Sequence, residues 1–161
     1  MQSHATASRA DQNRALGLST IAFTACFAVW TIFSIIGVAI KAELGLNDTQ
    51  FGLLVATPIL TGSLTRIFLG VWTEKYGGRI VFSTQMLLAA LATWALTYAD
   101  SYILYLIAAL GVGLAGGSFI IGVAYVSRWY DAGHQGTALG IFGAGNIGAA
   151  ARAMLNFGLE R

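Results

Sequence analysis

The chain has 161 residues, of which 57% are hydrophobic and only 10% are charged, and its formal net charge is +2. A mean hydropathy of +0.71 and so few charges exclude an ordinary soluble domain, which needs a charged surface. The small net charge, with no basic cluster interleaved with aromatic residues, also argues against nucleic acid as a partner. We therefore expect the lipid bilayer to surround most of the chain.

Five apolar segments are long enough to cross a membrane core, which needs about 20 residues at a rise of roughly 1.5 Å each. We predict an all-α membrane protein with a cytoplasmic polar tail at residues 1–15, five transmembrane helices within residues 16–157, and a truncated end at residues 158–161. The predicted helices cover residues 16–40, 51–72, 80–98, 103–129 and 137–157. Their connections are short, so neighbouring helices should form antiparallel hairpins.

Basic residues are divided unevenly between the two ends of these helices. Only Lys41 falls on one side, whereas the other side carries Arg9, Arg14, Lys75, Arg79 and Arg128. Short cytoplasmic loops carry an excess of Lys and Arg. We therefore expect an inner-membrane protein whose N-terminus is cytoplasmic.

Arg66 lies well inside the second apolar segment, with no acidic residue near it in the sequence. Placing arginine there costs about 2.5 to 3.5 kcal/mol on insertion scales. Snorkelling or a structural pairing would explain the residue, but binding of an anion in a central cavity explains it better. A planar guanidinium matches nitrate, nitrite or a carboxylate in bidentate fashion, and this chemistry does not choose among the three.

Asn146 offers a neutral amide that can donate to the same anion, although a structural hydrogen bond between helices explains it equally well. Glycine is abundant, with 20 residues, and small residues repeat at four-residue spacing at Gly136, Gly140, Ala144 and Gly148. Close helix packing accounts for such a pattern. The alternative is that glycine backbone lines a substrate path.

Enzymatic chemistry finds little support in the sequence. Two runs fit the G-x-G-x-x-G spacing of dinucleotide-binding turns, but both lie within membrane-length apolar segments and not in a βαβ unit. The two histidines fall in the tail and in a loop, and no acidic residue lies within a predicted span. We therefore expect that the chain is not an enzyme and that it binds no metal and no organic cofactor.

Three helices carry motifs of known transporters. The turn after the second helix, with Gly70, Glu74, Lys75, Gly77 and Arg79, looks like the G-x-x-x-D-R-x-G-R loop of the major facilitator superfamily. The run GTALGIFGAGNIG at residues 136–148 resembles the glycine-rich nitrate motif of the nitrate/nitrite porter family. The first and second helices also look like that family's patterns, the first at Phe27, Val29, Trp30, Phe33 and Ser34, and the second at Pro58, Gly62 and Arg66.

This resemblance implies the N-terminal part of a twelve-helix fold that transports nitrate and nitrite, by uptake or by exchange. It implies that Arg66 binds the anion, that Phe27 and Phe119 pack above and below the anion, and that Asn146 lies beside the pathway. The motif glycines that would accompany Asn146 along the pathway are Gly140, Gly143, Gly145 and Gly148. The resemblance implies three partners: nitrate or nitrite, the lipid bilayer, and a C-terminal half that a separate gene could encode.

The resemblance runs from about residue 18 to residue 150 and then stops. Arg152 falls where an apolar span should continue, so we expect a truncated transporter. Two alternatives stay open: a transporter portion for another small anion such as a carboxylate, and an inactive membrane fragment. The coupling ion and the preference between nitrate and nitrite are not decided by these residues.

Overall fold

A computed structural model of the chain describes residues 8–146, and this part folds as helices joined by short turns. The helices are α1 (Arg9–Trp30), α2 (Ile32–Leu44), α3 (Asp48–Tyr76), α4 (Gly78–Ala95), α5 (Tyr102–Gly113), α6 (Ser118–Ser127) and α7 (Ala132–Gly143). Short 3-10 turns follow α4 at Leu96–Tyr98 and α5 at Leu114–Gly117. The prediction of an all-α membrane fold is confirmed.

Four segments of the described part are long and apolar enough to cross a membrane. They are Arg9–Leu44, Asp48–Tyr76, Gly78–Tyr98 and Tyr102–Ser127, and they correspond to the first four predicted spans. The fifth prediction, residues 137–157, begins within α7, and its residues 147–157 lie outside the described part of the chain.

Two helices begin before the apolar runs that predicted them. Helix α1 begins at Arg9 inside the predicted polar tail, and α7 begins at Ala132 inside a predicted loop. At the start of α1 a polar residue supplies a cap, since the Ser8 hydroxyl accepts from the Ala10 N–H at 3.2 Å, whereas Asp131 before α7 makes no side-chain cap bond. At the start of α3, Asn47 and Gln50 form a capping box that satisfies two backbone N–H groups.

Two crossing segments are interrupted at places that lie close to each other, since a Cβ on Gly116 would lie 2.7 Å from Nε1 of Trp30. Between α1 and α2 only Thr31 leaves the helix, and its hydroxyl donates to the carbonyl oxygen of Phe27 at 3.1 Å. Between α5 and α6, about one turn of the helix, Leu114–Gly117, is wound more tightly as a 3-10 helix. Trp30, which precedes the first interruption, and Gly116, within the second, both line the cavity described below.

The outer surface of the bundle is strongly apolar. Isoleucines on three different crossing segments are more than two-thirds exposed, namely Ile21, Ile67 and Ile103. Water would oppose so much exposed apolar area, whereas lipid chains solvate it. The chain is therefore a multi-pass membrane protein.

Glycines let α3 approach α5 closely. A Cβ atom on Gly113 would lie 2.8 Å from the carbonyl oxygen of Pro58 and 2.6 Å from the Cβ of Thr61. A Cβ on Gly62 would lie 2.9 Å from the carbonyl oxygen of Gly113. Only glycine fits at this contact, which fixes α3, and hence Arg66, against the segment that follows α5.

Candidate functional site

A cavity of about 210 Å³ lies where α1, α3 and the start of α6 meet. It brings together residues that are far apart in the sequence: Phe23, Phe27, Trp30, Arg66, Gly116, Ser118, Phe119 and Asn146. Four of them, Arg66, Phe27, Phe119 and Asn146, are the residues that the sequence singled out as substrate-binding. The structure places all four around one space.

Arg66 is half-buried in the wall of this cavity. Its Nε donates a hydrogen bond of 3.1 Å to the carbonyl oxygen of Gly116, and its Cζ lies 5.5 Å from the centre of the Trp30 ring. No described acidic side chain forms an ion pair with it. Because Nε is occupied and no described residue bonds the two terminal amino groups, those groups are available to an anion.

Trp30 holds the arginine side of the cavity in place. Its indole Nε1 donates to the carbonyl oxygen of Pro58 at 3.0 Å, which joins α1 to α3. A Cβ on Gly116 would lie 2.7 Å from the same nitrogen, and a Cβ on Gly62 2.9 Å from it. The indole therefore fits only because glycine stands at both positions, and it offers Arg66 a cation–π contact.

Aromatic rings form most of the remaining wall. Phe27 lies 5.7 Å from Trp30 and 6.0 Å from Phe23, measured between ring centres. Phe23 in turn lies 5.5 Å from Phe119 and stacks on Phe142 of α7 at 4.7 Å. Phe119 keeps 39% of its surface exposed. An anion beside Arg66 would therefore lie among aromatic rings, and no described carboxylate would compete with it for the arginine.

The glycines of the predicted nitrate motif do not share one environment. A Cβ on Gly140 or Gly143 would meet no described atom within 4 Å, so neither is packed against another described helix. Gly145 is close to α1, since a Cβ there would lie 2.9 Å from the Thr24 hydroxyl, which donates to the Gly145 carbonyl oxygen at 3.2 Å. Gly148 lies outside the described residues.

The predicted loop motif lies at the opposite end of α3 from its capping box. The expected connection at residues 73–79 is reduced to Gly77 alone, whose φ of 88° favours glycine and lets α4 begin at Gly78. Glu74, Lys75 and Arg79 are exposed and form no ion pair with a described residue. A Cβ on Gly70 would make an ordinary 3.7 Å contact with Ile120 of α6.

Sequence reasoning missed Trp30, Phe23, Gly116 and Ser118 as parts of the cavity wall. Trp30 stands in the first-helix pattern that carried the resemblance, so a signal for it existed. Gly116 belongs, with Gly111 and Gly113, to one of the two runs with G-x-G-x-x-G spacing that were rejected from the sequence as nucleotide-binding turns. That rejection stands, but the run has a structural use: its carbonyl accepts from Arg66 and its missing Cβ admits Trp30.

A half-buried arginine that faces a cavity between membrane-spanning helices is typical of the substrate or ion pathway of a membrane protein. The family model of the Major Facilitator Superfamily matches residues 18–155, and the chain belongs to that superfamily of transporters. The prediction that the chain is not an enzyme agrees with this family.

The sequence is similar to curated transporters of nitrogen oxyanions. It is 45% identical to the probable nitrate/nitrite antiporter NarK1 of Thermus thermophilus, over 88% of this chain and 32% of that protein. It is 32% identical to the nitrite extrusion protein of Bacillus subtilis, over 86% of this chain and 35% of that protein. It is 33% identical to the probable nitrate/nitrite transporter NarK2 of Mycobacterium tuberculosis, over 77% of this chain and 32% of that protein.

These relatives confirm the resemblance that the motifs predicted. The chain spans about a third of the length of the curated relatives that it matches. Transport by those relatives is an activity of the whole proteins, and this chain corresponds to only one part of them.

Proposed function

We propose that the chain is the N-terminal part of a nitrate/nitrite transporter and that it carries one side of the anion site. The observation that carries this proposal is Arg66, whose terminal amino groups lie in an aromatic cavity with no described acidic partner. The names of similar proteins support nitrate and nitrite as the substrates.

Arg66 suits this role because of how its guanidinium is held. The bond from Nε to Gly116 and the Trp30 ring orient the group, so that binding costs little side-chain ordering. The two terminal amino groups then present a fork to a planar oxyanion. Low-polarity walls strengthen the attraction between charges relative to water.

Phe27 and Phe119 give the proposed site its shape. Both rings line the cavity that holds Arg66, so a flat anion at the guanidinium would lie against aromatic surface. Asn146 lines the same cavity and can donate hydrogen bonds from its amide. This combination would favour a small planar anion over a bulky or strongly hydrated one.

A carboxylate is the second candidate, because it also accepts a bidentate arginine contact. The volume of about 210 Å³ leaves room for a substituent beyond the oxyanion itself. The two candidates are separable by competition, since formate and acetate would displace nitrate from a carboxylate site at concentrations similar to those of nitrate.

The completed transporter would need chain beyond these residues, because similar proteins are about three times as long. We propose that a C-terminal half, in the same or a separate polypeptide, closes the other side of the cavity.

The excess of basic residues at one end of the bundle supports an inner-membrane protein with a cytoplasmic N-terminus. A reporter fused to residue 1 that is active only in the cytoplasm should be active; an inactive reporter would overturn the orientation.

Nitrate and nitrite uptake by a chimera tests the proposed function. Residues 18–146 replace the matching segment of the Thermus relative, and the chimera is reconstituted in proteoliposomes. We expect transport with Arg66 and at least a tenfold loss with Arg66→Lys, because lysine keeps the charge and loses the fork. Arg128→Lys, an exposed residue away from the cavity, is the matched control and should transport normally.

Three results would contradict the proposal. Equal transport by Arg66→Lys would remove the bidentate role. Equal competition by acetate and nitrite would favour the carboxylate alternative. A chimera that inserts and folds but moves neither anion would favour the inactive fragment.

A further inference from the structure

A second and larger cavity, of about 490 Å³, lies at the end of the bundle where α1 and α4 begin and α6 ends. It shares no lining residue with the cavity that holds Arg66. One part of its wall is charged and the other is apolar. This division is the feature that indicates a ligand.

The charged part contains Arg14 from α1 and Arg79 from α4. Neither guanidinium forms a hydrogen bond or an ion pair with a described residue, and Asp11, which also lines the cavity, is not paired with either of them. The three side chains leave a net charge of +1. Two arginines that line one cavity and pair with no described acidic residue leave their donors open to an anion.

The first turn of α4 adds to this positive end. Gly78 and Arg79 both line the cavity, and the preceding residue, Gly77, has no side chain to cap the helix. Backbone N–H groups at a helix start carry partial positive charge and bind phosphate groups well. The helix start and the two arginines therefore act in the same place.

The apolar part extends away from these charges into the membrane-spanning region. Leu18 and Ala22 line it from α1, and Phe82 and Met86 line it from α4. Leu18 and Phe82 lie about one helical turn beyond Arg14 and Arg79, and Ala22 and Met86 lie about one turn further still. Each turn corresponds to about 5 to 6 Å along the helix axis. The cavity thus has a cationic mouth at the helix ends and a hydrocarbon-lined interior.

Local packing keeps this cavity in shape. The Gln12 side-chain amide donates to the carbonyl oxygen of Trp129 at 2.9 Å, which ties the start of α1 to the end of α6. A Cβ on Gly78 would lie 2.7 Å from the ring of Tyr125, so α4 approaches α6 closely only with glycine there. The rings of Tyr125 and Trp129 are 6.0 Å apart, and both line the cavity.

We propose that this cavity binds an anionic phospholipid, with its phosphate at Arg14, Arg79 and the start of α4 and one acyl chain along Leu18, Phe82 and Met86. Charge complementarity selects the headgroup, and the apolar wall selects a lipid over a free phosphate. Tyr125 and Trp129 occupy the interfacial position that such rings prefer.

Quenching of Trp129 by brominated lipid tests the proposal. The full chain is reconstituted in phosphatidylcholine vesicles that contain increasing fractions of phosphatidylglycerol with brominated acyl chains. The signal of Trp129 is obtained by subtracting the fluorescence of a Trp129→Phe variant. We expect saturable quenching, with a midpoint at a several-fold lower mole fraction of brominated phosphatidylglycerol than of brominated phosphatidylcholine.

Substitutions distinguish the site from general surface charge. Arg14→Gln with Arg79→Gln should abolish the preference for phosphatidylglycerol, whereas Arg128→Gln, an exposed arginine at the same end of the bundle, should keep it. The double lysine variant at positions 14 and 79 preserves charge and should keep most of the preference, which guards against misfolding of the glutamine variant.

Several results would overturn the proposal. Equal quenching by the two lipids in the wild type would mean that nothing in the cavity selects an anionic headgroup. A loss of preference in Arg128→Gln as large as in the double glutamine variant would indicate surface charge alone. Displacement of the brominated lipid by millimolar glycerol 3-phosphate would indicate a site for free phosphate instead.

Discussion

The contact between α3 and α5 provides a quantitative prediction, since Gly113 has no room for a side chain. In Gly113→Ala the new methyl carbon would lie 2.8 Å from the Pro58 carbonyl oxygen, about 0.6 Å short of the 3.4 Å at which ordinary contact begins. The obstructing atom is backbone in the middle of α3, so the helices must move apart. Overpacking of this kind costs typically about 1 to 3 kcal/mol, offset by up to about 1 kcal/mol of improved helix propensity.

Equilibrium unfolding in sodium dodecyl sulfate mixed with a mild detergent measures this change in free energy. Gly52→Ala is the matched control on α3, because a Cβ there meets no described atom within 4 Å. We expect Gly113→Ala to be less stable than the wild type and Gly52→Ala to be as stable or slightly more stable. A Gly113→Ala variant at least as stable as Gly52→Ala would refute the close packing of α3 against α5.

The same unfolding assay checks two further contrasts. Asn47→Ala removes the capping box and should cost about 1 kcal/mol, whereas Ser101→Ala should cost much less, because Ser101 stands at a helix start without a side-chain cap bond; equal losses would contradict the capping role. Phe142→Ala removes a fully buried ring stacked on Phe23 and should cost about 3 to 5 kcal/mol. Phe68→Ala, at a ring that is 61% exposed, should change stability far less. Similar losses of stability at both positions would contradict the packing of α7 against α1.

Much of this fold follows from hydropathy alone. The four described crossing segments coincide with the first four apolar runs, because only a helix satisfies its backbone groups inside lipid. The ends of the helices were placed less well. Apolar runs stop where the bilayer stops, but a helix can continue into polar residues outside it, and Arg9 and Ala132 both start helices beyond the apolar limits.

Several residues that line the cavity were predictable from the sequence, but the hydrogen bonds between them were not. Arg66 stood out because a lone charge in an apolar run needs a reason, and the motifs pointed to Phe27, Phe119 and Asn146. The bond from Arg66 to the Gly116 carbonyl joins residues 50 positions apart, and no local pattern specifies such a pair. It depends on how closely two helices approach, which is a property of the packed bundle.

The glycines show the same limit most clearly. In the sequence, Gly113 and Gly140 look alike, since each lies in an apolar segment rich in small residues. In the structure, Gly113 is indispensable for contact with α3, and Gly140 meets no described neighbour. Spacing along one helix predicts that a small face exists, but the partner of that face is decided by the other helices.

Binding of isotopically labelled nitrate to the chain in detergent micelles tests most directly whether Arg66 binds the anion. The line width of the nitrate nitrogen resonance reports exchange with a protein-bound state. We predict broadening by the wild type, several-fold less broadening by Arg66→Lys, and unchanged broadening by Arg128→Lys. Equal broadening by all three proteins, or none by the folded wild type, would contradict the assignment of the anion site to Arg66.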